Sequence, residues 1–225
     1  MYIKTSALVA SAFALCALSA PIPESDPDIQ TETASGLTAE NLVAIAPATA
    51  SCTGAKFPEE CADATTAAAA INKSFSTYGI TSTGEQAALV AYMIFESGDF
   101  KYSKNHFPGR PGQGTRMMAM PPFVAKYATA VAGANAVAKA QAVGGDAGLN
   151  AVLALVNSDD EKSFGSAAWF LSTECTADVR AGLKAETTDG WHAFLTECVG
   201  TTVAPERDTP WVAAKQAMLG DDYTG

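Results

Sequence analysis

The chain has 225 residues, 24 acidic against 14 basic side chains, and a formal charge of −10. That balance argues against nucleic acid as a partner, because phosphate binding needs a basic patch and no Lys/Arg cluster occurs. It argues equally against attachment to an anionic membrane surface.

Residues 1–19 read as a secretory signal. Lys4 is the charged start, Ala7 to Leu18 the apolar run, and Ala17-Leu18-Ser19 the small residues before a cut after Ser19. A membrane anchor needs about twenty apolar residues, and this run is shorter and meets Pro21-Ile22-Pro23-Glu24-Ser25-Asp26-Pro27 directly. The expectation is a secreted, extracellular protein. Residues 20–51 are rich in Pro, Ser, Thr and Asp and read as an extended segment or pro-region, with one helix candidate from Thr38, as N-cap, to Ala46. Residues 52–225 are long enough for one domain with its own core.

Of five cysteines, Cys16 falls in the signal. Cys52, Cys61, Cys175 and Cys198 then read as two disulfides in an oxidising compartment. Three pairings are open. Joining neighbours closes the shortest loops at modest entropic cost. A structural zinc site needs tighter spacing, and His106 and His192 are not at finger positions, so no metal and no cofactor are expected. Asn72-Lys73-Ser74 is a glycosylation acceptor pattern.

The apolar pattern predicts helices, with little or no sheet. Ala62 to Tyr78 places Ala68, Ile71 and Phe75 on one face, and Gly79 stops it. Ser82-Thr83-Gly84-Glu85 has the form of a capping box. Nine apolar residues follow, Ala87 to Phe95, which predicts a helix buried on every side. After a polar, Gly- and Pro-rich loop from Gly98 to Gly114, helices are expected near 122–130, 133–142, 147–156, 164–173, 177–184, 190–199 and 206–219. Trp169, Trp191 and Trp211 sit in apolar helical contexts and read as core anchors. Asp159-Asp160-Glu161 precedes a helix and suits its positive end.

The all-apolar helix runs into Glu96-Ser97-Gly98-Asp99. A carboxyl there meets the negative end of the helix dipole and the apolar Met93 and Phe95, and both favour its neutral form. Such a group can hold a proton near neutrality and deliver it to a leaving oxygen. Lysozyme is the standard example of this chemistry.

The run Phe95-Glu96-Ser97-Gly98, followed by Asn105-His106-Phe107-Pro108-Gly109-Arg110-Pro111-Gly112-Gln113-Gly114-Thr115-Arg116-Met117-Met118, resembles goose-type lysozymes and soluble lytic transglycosylases. It also resembles a group of secreted fungal proteins related to muramidases, as do Phe164 to Leu171 and the cysteines Cys175 and Cys198. The resemblance implies a single lysozyme-like helical domain that cleaves the β-1,4 bonds of peptidoglycan or a related aminosugar polymer, with Glu96 as general acid. Ser97 would then help orient the sugar or Glu96, and Asn105, His106, Gln113, Thr115 and Arg116 would contact the substrate. From the residues alone, His106 also reads as a solvated loop histidine, Arg116 as a partner of nearby acids, and Tyr127 either as a hydrogen-bond partner of Glu96 or as a core tyrosine. Met117 and Met118-Ala119 depart from the pattern, which has a polar residue and Met-Gln there. Asp99 is the candidate second carboxylate, which two-carboxylate enzymes place about 5–9.5 Å from the acid; a loop-capping role is the other reading. A non-catalytic saccharide-binding or interaction protein on the same fold, and an enzyme of chitin or chitosan, are the alternatives. A monomer is expected, with an acidic pH optimum.

Overall fold

The computed structural model describes residues 36–219. The signal expected at 1–19 lies outside them. The described residues are mainly helical: α1 (Ala39–Ile45), α2 (Ala64–Tyr78), α3 (Thr83–Glu96), α4 (Pro121–Ala132), α5 (Ala134–Gln141), α6 (Gly145–Val156), α7 (Asp160–Glu174), α8 (Ala177–Lys184), α9 (Thr188–Ala193) and α10 (Pro205–Leu219). A 3-10 turn, Pro47–Ala50, follows α1, and a π-helical turn, Phe194–Val199, prolongs α9. Extended pairing among these residues is limited to the isolated bridges Lys104–Gly114 and Gly114–Ala119.

The central helix is α3. Every residue from Ala87 to Ile94 is buried, and α10 lies along α3 while α2 lies along α7. All three tryptophans belong to the core. Trp191 stacks parallel on Trp211 with centroids 5.8 Å apart, and its Nε1–H donates to Asp208 at 2.8 Å. Helices α8 and α9 approach at Gly182 and Gly190, where a Cβ on either would collide with the other's backbone. The cysteines pair as neighbours, Cys52–Cys61 and Cys175–Cys198. No described helix is long and apolar enough to cross a membrane.

Three local expectations are corrected. Ser82 is the N-cap of α3, but its side chain makes no capping bond. Glu85, its supposed partner, is buried and accepts from Arg180 of α8 at 2.6 Å, so the carboxylate serves packing between helices instead. Asn72 is unsuited to carry a glycan: its side chain accepts from Leu37 N–H at 3.1 Å and donates to Leu37 C=O at 2.7 Å. That pair of bonds ties the stretch before α1 to the middle of α2. With α1 packed on α10 and α2, the folded unit reaches back to residue 36, into the segment read as an extended arm.

Candidate functional site

Helix α3 ends abruptly because Gly98, Asp99 and Phe100 all adopt left-handed backbone, with φ of 57°, 56° and 64°. Such angles are uncommon for residues with a Cβ. The turn is held by Asp99 N–H on Ile94 C=O at 2.9 Å and by Ser97, whose hydroxyl donates to Met93 C=O at 2.6 Å and accepts from Phe100 N–H at 3.1 Å. Ser97 is fully buried, so it builds the turn and does not reach a ligand. The turn leaves Glu96 at the mouth of the central helix.

Beyond it, residues 101–119 fold over themselves around two buried charges. Arg116 is 2% exposed; its guanidinium donates to Phe100 C=O at 2.9 Å, to Tyr102 C=O at 3.3 Å and to Asp160 at 3.2 Å, and stacks over Phe164. Glu60, 5% exposed, accepts from Ser103 N–H at 3.0 Å and pairs with His106 Nε2 at 2.8 Å and Lys104 at 3.1 Å. Burial acts to raise the Glu60 carboxyl, yet these three partners outweigh it and hold it below its ordinary value. Thr115 is buried and accepts from the Ser166 hydroxyl at 2.8 Å. At Gly114 a Cβ would lie 2.5 Å from the Ser103 carbonyl oxygen, so glycine is what lets the loop's own backbone close on itself there.

Two hollows flank Glu96. One, of about 300 Å³, is walled by Met117, Met118, Ala119, Met120, Phe123 and Phe170 on its apolar side and closed by Gly200, Thr201 and Arg207. The other, of about 230 Å³, runs past Tyr102, Asn105, His106 and Phe107. Glu96, Gln113 and Met118 border both. Here Gln113 donates to Met118 C=O at 3.0 Å, and the Asn105 side chain accepts from Gly109 and Arg110 N–H groups. His106 stacks on Phe57 at 3.6 Å, and Phe107 is exposed at the rim.

Arg207, from α10, is the residue that sequence reasoning missed. It donates to Glu96 Oε1 at 3.2 Å and lies over the Phe95 ring at 4.5 Å, and both members of the ion pair are largely buried. Burial raises the Glu96 carboxyl above its ordinary value, and the Arg207 charge and hydrogen bond oppose that rise. The result is a hydrogen-bond acceptor and a donor side by side, at the edge of an apolar wall.

Several predicted roles do not survive. Thr115, Arg116 and Ser97 are structural. Tyr127 donates to Lys162 C=O at 2.8 Å and packs on Trp169, and it lines neither hollow beside Glu96. Asp99 is also absent from both linings; burial raises its carboxyl, opposed by Lys101. The side chain beside Glu96 is thus a cation in place of the second carboxylate expected there.

Neither known protein families nor solved structures give a match to this chain. Among curated proteins it is similar to a bifunctional dioxygenase (DOX)-epoxy alcohol synthase (EAS) from Fusarium oxysporum (strain Fo5176), with 39% identity over 153 residues. That match takes in 64% of this chain and 11% of the relative, so the chain spans only a small part of that protein's length. The finding overturns the resemblance to goose-type lysozymes, lytic transglycosylases and fungal muramidases. The peptidoglycan-cleaving glycosidase inferred from it, with the hydrolase and muramidase description, falls with it; the relative is an enzyme of oxygenation.

Dioxygen chemistry calls for a metal or an organic redox cofactor. The described residues do not fit a metal centre. No group of three His, Cys, Asp or Glu side chains gathers among the described residues, and the four cysteines beyond Cys16 are bound in disulfides. His106 and His192 each commit Nε2 to a carboxylate, Glu60 and Asp208, on separate elements.

Proposed function

We propose that this chain is an exported binding module that works beside dioxygenase and epoxy alcohol chemistry, holding an oxygenated, mainly apolar molecule of the epoxy alcohol type. The observation that carries it is the Glu96–Arg207 pair set against the wall of Met117, Met118, Met120, Phe123 and Phe170. An epoxy alcohol presents a hydroxyl and an ether oxygen on neighbouring carbons. The hydroxyl donates to the Glu96 carboxylate, the epoxide oxygen accepts from the Arg207 guanidinium, and the hydrocarbon part covers the methionines and phenylalanines. Methionine suits such a wall, since its flexible, polarisable side chain adapts to an irregular ligand. The similarity to a dioxygenase-epoxy alcohol synthase supports this choice of ligand class. Export is supported by the signal pattern at 1–19 and by the two disulfides.

Isothermal titration of the chain with a long-chain epoxy alcohol tests the proposal. Binding is expected to weaken about tenfold in Arg207→Met and in Glu96→Gln, the loss of one charged hydrogen bond in each. The corresponding alkane diol should bind less well than the epoxide. Equal affinity of both variants and the native chain, or no heat at all, refutes it.

A further inference from the structure

A third and larger hollow, of about 510 Å³, lies between residues 103–113 and α6. No Asp or Glu lines it, although the chain carries 24 of them. Its polar lining is instead donor-rich. Asn150 of α6 accepts from Gly112 N–H at 2.9 Å, and Asn105 accepts from Gly109 N–H at 2.8 Å and Arg110 N–H at 3.1 Å. Each amide oxygen is therefore committed to the backbone, and each NH2 group makes no hydrogen bond among the described residues. Arg110 has an exposed guanidinium and no ion pair among those residues, and Lys104 adds a second positive charge, shared with Glu60. Leu153, Ala154 and Pro111 supply an apolar floor.

We infer that this hollow is a second ligand site, for a small organic carboxylate with an apolar body. The Arg110 fork and the amide donors of Asn105 and Asn150 take the carboxylate, and Leu153 with Pro111 takes the hydrocarbon. A hard cation finds no carboxylate oxygen here, and a neutral hydrocarbon leaves the donors unanswered. The site does not depend on Glu96 and Arg207, neither of which lines it.

Titration of the full chain with 2-naphthoate, 2-naphthamide and inorganic phosphate tests the inference. Naphthoate is expected to bind about tenfold more tightly than the other two. Arg110→Gln removes the charge. Asn150→Asp keeps the oxygen that accepts from Gly112 and replaces the donor with an anion. Each should weaken naphthoate about tenfold and the uncharged naphthamide by much less, with the unfolding temperature unchanged. Glu96→Gln should leave naphthoate binding as it is, which separates this site from the one at α3. Equal binding of acid and amide, phosphate binding as tightly as naphthoate, or naphthoate affinity indifferent to both variants, overturns it.

Discussion

Glu96 combines two opposing influences, burial that favours its neutral form and Arg207 that favours its charge, and burial prevails. A carboxyl whose value is raised in the folded state holds its proton more tightly there than in the unfolded chain. Its contribution to stability is complete below the unfolded value, about 4.3, and is lost as pH rises through the folded one. Glu96→Gln cannot ionise. The native chain should therefore lose stability relative to Glu96→Gln as pH is raised from about 4 to about 7, measured by urea unfolding. A constant difference across that range would show that burial does not control this carboxyl. The raised value was legible in the sequence, because an unbroken apolar run ending in Glu predicts burial. Arg207 was not, since 111 residues separate it from Glu96 and no local pattern links α10 to α3.

Helices are legible in the sequence where their ends carry strong signals. Gly79, at φ 65°, closes α2 as expected, and α8 runs from Ala177 to Lys184 as predicted. Failures came where a polar side chain had two uses. Glu85 fits a capping box by spacing but is drawn into the interior by Arg180, and Asn72 fits a glycosylation pattern but clasps Leu37. Only the tertiary partner decides between such uses. Asn72→Ala removes both bonds to Leu37 and should cost about 1–2 kcal/mol, with faster amide exchange confined to Leu37 and α1. Unchanged exchange there would mean that α1 is held by its packing on α10 and α2 without help from Asn72. The wall of a saccharide cleft that the lysozyme resemblance implies for Asn105 to Gly114 falls with that resemblance. The inward placement of Thr115 and Arg116 was hidden because charged and hydroxyl side chains in a polar loop give no sign of burial.

For the whole molecule, the helical class was legible from periodicity and the scarcity of alternation, whereas the biochemical assignment was not. A short Glu-Ser run at a helix end fixes neither partner nor chemistry, and the cation opposite Glu96 and the oxygenase relative point elsewhere. Stability at this scale rests partly on the two disulfides. Cys175–Cys198 spans 23 residues of sequence, and its removal by the double Ser substitution should cost about 3 kcal/mol from loop entropy; calorimetry showing no loss would place that constraint elsewhere. The ligand proposed here, oxygenated and mainly apolar, would sit between Glu96, Arg207 and the methionine wall. Of the six methionines in the chain, Met117, Met118 and Met120 line that hollow. The direct measurement is a methyl NMR titration of methionine-labelled protein with a long-chain epoxy alcohol. Saturable shifts are expected at Met117, Met118 and Met120, with Met93 and Met218 unmoved, and about tenfold more ligand should be needed to reach them in Arg207→Met. Shifts absent at the highest ligand concentration, or a midpoint unaltered in Arg207→Met, would contradict that placement.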